Sequence, residues 1–359
     1  MHVIVVGAGI IGAITAYRLA AAGAQVTVID ASQPASAASG ASFGWINASF
    51  YLDEDHFALR LAAMEAHRRL DRALKTTATV WQGCLCWEEQ GAAFDAQYAA
   101  LERLGYDVRE LDHDAVAALE PEITAPERAL CFASEGATDL HQLCHDALNA
   151  ATALGARVVA GVTVTGIEVT AGRVDGVRWS GGTISADQVV LATGVATQTL
   201  LADVGVPLPM LDRPGLILRS APLPPLLSHI LVTPGQEVRQ DRSGRLLAPI
   251  AASHQSGTAE KIEKNPILLA DEAARGVGRL IGREVAWEQV TLAHRPVPQD
   301  GLPVMGRAGP AGLYVATLHS GATLAPLAAE IAAREVLDAP LPNEMAALIA
   351  PYRPQRFVT

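Results

Sequence analysis

The first thirty residues, MHVIVVGAGIIGAITAYRLAAAGAQVTVID, constrain the fold of this chain more than any other stretch. The β-branched run HVIVV is typical of a strand that is buried on both faces of a parallel sheet. The glycines of GAGIIG follow at Gly7, Gly9 and Gly12. A helical stretch then ends at Gly23, and a second strand ends at Asp30. This order of strand, tight turn, helix, strand and acid predicts a Rossmann-like unit that binds a dinucleotide.

Each position of this motif has a physical role. The first glycine makes the tight turn, the second lets the backbone approach a pyrophosphate, and the third lets the helix pack close to the strand. The helix N-terminus favours the negative charge of a phosphate. Asp30 follows at the end of the second strand, where its carboxylate can accept hydrogen bonds from ribose hydroxyls. The motif alone does not separate NAD from FAD.

Composition argues against several other classes of function. The chain has 359 residues, of which 50% are hydrophobic and 18% are charged, and this predicts two packed lobes or one large domain. The formal net charge is −11 and there is no dense Lys/Arg run, so we expect no binding to nucleic acid or to an acidic membrane surface. The opening stretch lacks a basic segment and a cleavage site, and no apolar run reaches membrane-spanning length.

The cysteines and histidines predict neither disulfides nor a metal site. Cys84 and Cys86 are two positions apart, a spacing unlike CxxC, and the other two cysteines are scattered. We expect buried, unreactive thiols and a cytoplasmic protein. His141 and His145 lie at i and i+4 on a predicted helix, without the glutamate of HExxH and without a third ligand.

The stretch after Asp30 favours FAD over NAD. Residues 31–51, ASQPASAASGASFGWINASFY, are rich in small and hydroxyl side chains, whereas a nicotinamide enzyme more often continues into a helix and a third strand. Backbone amides and the hydroxyl of Ser39 or Ser42 can meet a pyrophosphate here, and FGWI can lie against a flat ring system. A mobile Ser/Ala loop is the alternative interpretation.

Two later segments complete the pattern. Residues 155–194 predict a strand, a β-meander with turns at TAGRV and SGG, and the buried strand QVVLATG. Residues 293–337 predict a turn, a strand LYVAT, the small-residue turn HSGAT and an Ala-rich helix. With the two opening segments, they resemble the D-amino-acid oxidase superfamily of FAD-dependent oxidoreductases, which includes glycine oxidase, sarcosine oxidase and D-amino-acid dehydrogenases. RPVPQDGLPVMG followed by HSGATLAP is the most specific part of this resemblance.

The resemblance implies a fold of the α/β (α+β) class with two intertwined domains. A Rossmann-like FAD-binding domain with a parallel sheet is expected from residues 1–75, 145–210 and 290–359. A substrate-binding domain, built on a mostly antiparallel sheet, is expected from residues 76–144 and 211–289.

The resemblance also implies a non-covalent FAD. Sarcosine oxidases anchor FAD through a cysteine, and residues 290–297 contain none. The residues expected to bind the cofactor come from the four segments above and from a short stretch before the HSGAT turn. They are Gly7, Ala8, Gly9, Ile10, Ile11, Gly12, Asp30, Ala31, Ser32, Ser39, Ala41, Ser42, Gly44, Trp45, Ile46, Val164, Ala192, Thr193, Gly194, Gly306, Ser320, Gly321, Ala322, Thr323 and Leu324.

Four residues are predicted to act at the substrate end of the site. Arg295, in HRP, matches the arginine that clamps the substrate carboxylate in glycine oxidase and D-amino-acid dehydrogenase, and a planar guanidinium fits a carboxylate bidentately. A surface or interdomain salt bridge is the alternative. His319 in HSGAT is expected beside the flavin, facing the substrate or bonded to the backbone. This turn is shorter than the corresponding loop of glycine oxidase and lacks its arginine.

The other two of these residues are Arg239 and Trp45. Arg239 lies on a predicted strand of the substrate domain, where relatives place polar or tyrosine ligands. A solvent-facing strand arginine is the alternative for Arg239. Trp45, in FGWI, is expected against the isoalloxazine ring, and ordinary core packing is its alternative.

These features predict an enzyme that oxidises the C–N bond of a D-amino acid or a small secondary amino acid, of the sarcosine or proline type. Hydride transfer to flavin N5 gives an imine that hydrolyses. No lysine matches the oxygen-activating lysine of sarcosine oxidases, so a dehydrogenase is favoured, with oxygen and other electron acceptors both open. One alternative is an amine dehydrogenase that acts on a carboxylate-free amine or within a larger complex. A non-catalytic flavin-binding partner is another. Low lysine with high arginine and alanine indicates a bacterial source.

Overall fold

The structure is a computed structural model that describes residues 1–250 and 258–358. Residues 251–257 and 359, which belong to the predicted segments 211–289 and 290–359, lie outside the described residues. The first strands, in chain order, are β1 (His2–Val6), β2 (Gln25–Asp30), β3 (Trp45–Ile46), β4 (Thr79–Val80), β5 (Cys84–Cys86), β6 (Arg109–Asp112), β7 (Arg128–Phe132), β8 (Gly136–Thr138), β9 (Arg157–Ala160), β10 (Val164–Thr170) and β11 (Arg173–Trp179).

The remaining strands follow in the second half of the chain. They are β12 (Gly182–Ser185), β13 (Gln188–Leu191), β14 (Met210–Leu211), β15 (Pro214–Ser220), β16 (Ile230–Thr233), β17 (Gln236–Gln240), β18 (Leu246–Ile250), β19 (Trp287–His294), β20 (Val297–Pro298), β21 (Val304–Arg307) and β22 (Leu313–Thr317). The α-helices are α1 (Ile10–Ala21), α2 (Glu54–Leu74), α3 (Ala92–Arg103), α4 (His113–Leu119), α5 (Leu140–Ala153), α6 (Thr197–Ala202), α7 (Pro266–Leu280), α8 (Gly321–Val336) and α9 (Asn343–Ile349).

The six-stranded sheet contains the predicted Rossmann-like unit. Its order is β21-β22-β13-β1-β2-β9, and every neighbouring pair is parallel except β21 with β22. Val3 and Val5 of β1 pack on one face with α1, α5 and α8, whereas Ile4 and Val6 pack on the other face with the β10–β12 meander. This double burial is why HVIVV is apolar at successive positions rather than at alternate ones.

The second large sheet is mostly antiparallel, as expected for the substrate side. Its order is β19-β15-β18-β17-β16-β5-β7-β6, and only β16 and β5 run parallel. Helix α7 packs against it through alanines and Val277, beside Leu216, Leu218 and Val238 of the sheet. This sheet presents part of one face to the carboxyl ends of β1 and β2, where the cavity described below begins.

The predicted segments and the observed sheets can be compared directly. The six-stranded sheet takes β1 and β2 from residues 1–75, β9 and β13 from 145–210, and β21 and β22 from 290–359. The boundary predicted at 290 falls inside β19, because that strand pairs with β15 from Ser220–Trp287 to Pro214–His294. None of the described helices is long and apolar enough to cross a lipid bilayer.

Candidate active site

A cavity of about 1030 Å³ extends from the β1–α1 turn to the face of the eight-stranded sheet. One end is formed by the glycine turn, by Asp30 and by residues 162–165. The other end is formed by residues 215–217 and 292–296. The HSGAT turn at the start of α8 lines the cavity between these ends. The volume lies at the upper limit for ligand pockets, which suits a ligand as large as a dinucleotide.

The glycine turn is shaped by close backbone contacts that exclude side chains. Gly7 has a φ of +102°, and a Cβ there would lie 2.3 Å from the carbonyl oxygen of Ala192. A Cβ on Gly12 would lie 1.9 Å from the carbonyl oxygen of Gly7. Because both contacts are with backbone, neither can relax cheaply, and helix α1 is held tightly against the turn. At Gly7 and Gly9 the turn therefore presents backbone to the cavity, which Ile10 and Ile11 also line.

Asp30 lies at the end of β2 and lines the same end of the cavity. Its Oδ2 accepts the N–H of Ala8 at 2.6 Å, and its Oδ1 accepts the N–H of Ser32 at 2.8 Å. These bonds fix the carboxylate while each oxygen retains capacity for a further hydrogen bond, as from a ribose hydroxyl. The hydroxyl of Ser39 accepts the N–H of Ile10 at 2.9 Å, which ties residues 31–44 to the start of α1.

Trp45 lines the cavity and is anchored from behind by a buried carboxylate. Its indole N–H donates to Glu135 Oε2 at 2.9 Å, and the hydroxyl of Tyr106 donates to Glu135 Oε1 at 2.7 Å. Glu135 is fully buried, and this burial raises its pKa from 4.5 to about 7, against the lowering effect of its hydrogen bonds with Ser49, Tyr106 and Trp45. The ring of Phe43 meets Trp45 edge-on, with centroids 6.5 Å apart.

Arg60, from α2, brings a positive charge to the cavity wall. Its Nη2 donates to Asn47 Oδ1 at 2.6 Å, its Nε donates to the Asn47 carbonyl at 3.0 Å, and its Nη1 donates to Ser320 Oγ at 2.8 Å. Burial lowers the pKa of Arg60 to about 10, which leaves the guanidinium charged at neutral pH. Arg60 therefore joins the segment after Trp45 to the turn that begins α8.

His319 faces the cavity beside Ser320, which has a left-handed φ of +58° and precedes the first residue of α8. The Nδ1 of His319 lies 3.1 Å from Ser320 Oγ. Burial, followed by the positive charges of Arg295 and Arg60, holds the pKa of His319 well below its usual value. The imidazole is therefore neutral at physiological pH, and it can donate one hydrogen bond and accept another.

Arg295 lines the opposite end of the cavity from the glycine turn, directly after β19. Its backbone N–H donates to the carbonyl of Arg213 at 2.9 Å, which fixes the start of its side chain. Its guanidinium forms an ion pair with Glu260, and Arg213 pairs with the other oxygen of the same carboxylate at 2.6 Å. Burial lowers the pKa of Arg295, and the charge of Glu260 opposes this shift. Arg295 thus combines a cavity position with an internal salt bridge.

Arg239 does not line the cavity. It is 6% exposed, and its Nε donates to the carbonyl of Phe43 at 2.6 Å, behind the FGWI segment. The expected direct contact with substrate is therefore not supported by this geometry, and neither is the alternative of a solvent-facing arginine. Glu237, on the same face of β17, lines the cavity instead. Strand β17 was expected to contribute Arg239 to the site, but Glu237, two positions earlier in the strand, is the residue that reaches the cavity.

Most of the predicted cofactor residues line the cavity. They are Gly7, Gly9, Ile10, Ile11, Asp30, Ala31, Ser32, Ser39, Ala41, Ser42, Gly44, Trp45, Val164, Ala192, Thr193, Gly194, Ser320, Gly321, Ala322 and Thr323. Ala8, Gly12, Ile46 and Leu324 lie behind this lining, where Gly12 serves helix packing. Gly306 lies elsewhere, because a Cβ on it would meet Pro354 at 3.0 Å.

Several charged side chains at or behind this cavity were not predicted from the sequence. Arg60 carried a signal, since it falls on the same helix face as Phe57, Ala63, Met64 and His67, which are all buried. A charged side chain on an apolar helix face is unusual and indicates a buried partner. For the carboxylates Glu135, Glu237 and Glu260 we find no comparable local signal, because their partners come from distant segments.

These residues fit FAD. The glycine turn admits the close approach of a pyrophosphate, Asp30 suits ribose hydroxyls, and residues 41–45 and 319–323 can enclose a flat ring from two sides. Across residues 1–250 and 258–358, no three His, Cys, Asp or Glu side chains are grouped so as to hold a metal ion.

The sequence and the fold are similar to those of known flavoproteins. A family model described as FAD dependent oxidoreductase matches residues 2–335. Glycine oxidase of Pseudomonas putida is 26% identical over 352 residues, covering 92% of this chain and 93% of that protein. D-amino acid dehydrogenase of Cereibacter sphaeroides is 25% identical over 382 residues, covering 89% and 87%. The bifunctional protein ThiO/ThiG of Synechocystis sp. is 28% identical over 243 residues, which are 63% of this chain and 34% of that protein.

The solved structure of glycine oxidase from Geobacillus kaustophilus shares the fold. It superposes with a TM-score of 0.87 at 23% identity and covers 99% of both chains. The family match covers most of the chain, and its first matched residues include the glycine turn that we describe above. The chain therefore belongs to the family of FAD dependent oxidoreductases, with FAD as its cofactor.

Proposed function

We propose that this enzyme oxidises the C–N bond of a D-amino acid or a small secondary amino acid whose carboxylate is bound by Arg295. The observation that carries this proposal is the position of Arg295, which lines the same cavity as the glycine turn and the HSGAT turn. A carboxylate at Arg295 and an FAD along the glycine turn would thus share one enclosed space. The similarity to a glycine oxidase and to a D-amino acid dehydrogenase supports an amino acid substrate.

The charges at this end of the cavity favour a bound carboxylate. Arg295 presents a planar guanidinium, and the hydrogen bond of its backbone N–H to the carbonyl of Arg213 fixes the start of its side chain. Glu237 is the cavity-lining carboxylate on this side, and its negative charge raises the pKa of Arg295. Glu237, like Glu260, therefore helps to keep Arg295 in the charged form that binds a carboxylate.

The positive charges also help to keep the substrate nitrogen neutral. Oxidation requires the amine rather than the ammonium form, because the nitrogen lone pair must assist departure of the hydride. Arg60 and Arg295 both line the cavity and disfavour a second cation between them. His319 adds no charge, because burial and these arginines hold its pKa far below neutrality, so it can accept the hydrogen bond of an amine N–H.

Bound FAD supplies the two-electron acceptor for the hydride of the α-carbon. The chain's own contribution is to orient the substrate and to limit water. Leu216, Ile217 and Leu292 line the substrate end and give it an apolar wall. The imine product leaves this wall and hydrolyses in water, to a keto acid and ammonia for a primary amino acid and to a carbonyl compound and an amine, or a ring-opened amino keto acid, for a secondary one. Held in this way, substrate and cofactor gain the advantage of a fixed orientation.

Arg60 is also our candidate for the fixed positive charge that favours electron transfer from the substrate to the cofactor. No lysine lines the cavity in the described part of the chain, whereas Arg60 does. A buried cation near a reduced flavin stabilises negative charge on the ring. Oxygen and a different acceptor are both compatible with this arrangement, and the yield of peroxide in air would tell an oxidase from a dehydrogenase.

The experiment for the proposed function is anaerobic mixing of the FAD-loaded protein with a panel of amines. The panel contains D-amino acids, N-methyl amino acids, proline and carboxylate-free amines. We expect at least one compound with a carboxylate to bleach the flavin, and acid or heat to release FAD from the chain. Bleaching by carboxylate-free amines alone would contradict the role of Arg295, and flavin colour retained on the denatured chain would contradict non-covalent binding.

A further inference from the structure

Two arginines share one carboxylate at the substrate end of the cavity. Glu260 Oε1 accepts from Arg213 at 2.6 Å, and Glu260 Oε2 accepts from Arg295. The arrangement is also held by backbone bonds. The N–H of Glu260 donates to the carbonyl of Asp212 at 3.0 Å, and the N–H of Arg295 donates to the carbonyl of Arg213 at 2.9 Å. The three charged side chains thus form one built unit rather than an adventitious surface contact.

The three side chains differ in their access to the cavity. Arg213 is fully buried, whereas the side chains of Glu260 and Arg295 retain 17% and 19% of their exposure. Arg295 lines the cavity, and Arg213 and Glu260 lie behind it. Glu260 therefore joins a cation that contacts the cavity to a cation that does not. In such shielded surroundings the charge balance of the unit strongly affects the binding of an anion.

The charge of the unit matches one substrate carboxylate. Taken by themselves, these two guanidinium groups and one carboxylate carry a net charge of +1. Without the charge of Glu260, Arg213 and Arg295 would carry a charge of +2 between them. These two guanidinium groups are close enough to share one carboxylate, so they would then face a ligand together. That arrangement suits a ligand with two carboxylates.

We propose that Glu260 determines substrate specificity, because it occupies the second guanidinium and so limits this site to amines with a single carboxylate. The proposal rests on the proposed function, in which Arg295 binds the substrate carboxylate. In this proposal Glu260 competes with the ligand for Arg295. A ligand carboxylate must either displace Glu260 from its ion pair with Arg295 or bind beside it and be repelled by the negative charge of Glu260. Both effects have the same sign, so removing the charge must strengthen anion binding.

Two variants separate the charge of Glu260 from its volume. Glu260→Gln removes the charge and keeps the shape, and Glu260→Ala also removes the side-chain volume that a second ligand carboxylate would occupy. The probes are acetate and malonate, which lack an amine and are not oxidised. Calorimetric titration of the FAD-loaded protein gives both dissociation constants, and the flavin absorbance provides an independent readout.

We expect acetate to bind Glu260→Gln about tenfold more tightly than the parent, in line with the measured couplings of close charge pairs. In Glu260→Ala, we expect the preference for malonate over acetate to rise at least about tenfold. Glu263→Gln and Glu263→Ala are the matched controls, because Glu263 is exposed and three residues away, and both should leave the two affinities unchanged.

A double variant tests whether the second guanidinium is the one released. Combining Arg213→Met with Glu260→Ala restores the net charge of +1, and the preference for malonate should return to the parent value. Unchanged affinities in Glu260→Gln and Glu260→Ala that retain FAD would overturn the proposal. If Glu260→Ala loses FAD, the acetate affinity of Glu260→Gln decides the question. An affinity equal to or weaker than that of the parent then overturns the proposal.

A further variant distinguishes this failure from failure of the proposed function. If Arg295→Leu binds acetate as well as the parent does, Arg295 is not the carboxylate site and the proposed function fails. If Arg295→Leu loses acetate binding but the Glu260 variants behave like the parent, only the inference about Glu260 fails.

Discussion

The two ends of the cavity are built in different ways. The nucleotide end consists mainly of backbone groups and small residues from β1, the turn at Gly7–Gly12 and the segment after β2, together with Asp30 and residues 162–165. The substrate end combines the apolar wall with charged side chains from α2, β17 and the residue after β19, backed by Glu260. The nucleotide end depends on the absence of side chains at the glycines, and the substrate end depends on the pairing of charged side chains. Substitutions at the two ends should therefore fail for different reasons.

The largest effect is expected at the nucleotide end. In Gly12→Ala the new Cβ would lie 1.9 Å from the carbonyl oxygen of Gly7, so backbone must move. We expect more than about 4 kcal/mol of destabilisation and loss of bound FAD. The FAD content and the unfolding midpoint of the purified protein measure both effects. Gly23→Ala is the control, because open space surrounds that position and the cost of its φ of +87° is only about 1 kcal/mol.

At the substrate end, Arg295→Leu should leave the fold and FAD in place and remove the carboxylate partner. We expect a loss of about 3 kcal/mol in the binding of an amino acid substrate, which is more than a hundredfold in affinity. Anaerobic bleaching measured against substrate concentration gives this value. Arg242→Leu, at an exposed arginine of the same half of the chain, should leave the affinity unchanged. Equal losses in both variants would show that the site does not depend on Arg295.

The pH dependence of stability tests the buried carboxyl of Glu135, which supports Trp45 from behind. The pKa of this carboxyl is about 7 in the folded chain against an ordinary 4.5, so the folded state holds its proton more tightly than the unfolded state. Stability contributed by this group is present below pH 4.5 and is lost as pH rises to 7, by about 3 kcal/mol. Glu135→Gln lacks this loss.

The free energy of unfolding of Glu135→Gln, relative to the parent, should therefore increase by about 3 kcal/mol between pH 4 and pH 8. Chemical denaturation across this range measures the difference. Glu127→Gln is the control, because Glu127 is exposed and should give a difference that does not change with pH. A flat difference for Glu135→Gln would contradict the raised pKa.

The smallest effect is expected for Arg60. Arg60→Met removes a buried positive charge from the cavity wall, and the midpoint potential of bound FAD should fall by at least about 30 mV, which is 1.4 kcal/mol for a two-electron couple. Arg60→Lys loses the contacts with Asn47 and Ser320 but keeps the charge. Because the charge sets the potential, the potential of FAD in this variant should stay close to that of the parent. Equal potentials in all three proteins would remove Arg60 from the electrostatics of the site.

The same contrast explains what could be predicted from sequence. The glycine turn, the acid at Asp30 and the small residues before Trp45 were all predicted, because each follows from local geometry within a few elements. The parallel sheet and the β10–β12 meander were also predicted, since β1 and β13 are apolar at successive positions and the meander has clear turns, whereas the second, antiparallel sheet was expected only from the family resemblance. Both features leave a pattern in neighbouring residues.

The pairing of charges at the substrate end leaves no such pattern. Arg295 was found through family resemblance, but its partner Glu260 is 35 positions earlier in sequence and meets it only after β15 and β19 pair. Glu237 and Arg239 share one face of β17, and only the tertiary structure shows which one reaches the cavity. Arg60 was the exception that local pattern could have found, since it interrupts the apolar face of α2.

The central claim is that one cavity joins FAD to a carboxylate held by Arg295. The most direct test compares matched compounds, with D-alanine against ethylamine and sarcosine against dimethylamine, as reductants of the FAD-loaded protein without oxygen. In the pair whose amino acid reacts faster, we expect the compound with the carboxylate to bleach the flavin at least about a hundredfold faster than its partner at equal concentration. Equal rates within both pairs, or faster bleaching by the carboxylate-free amines, would contradict the claim.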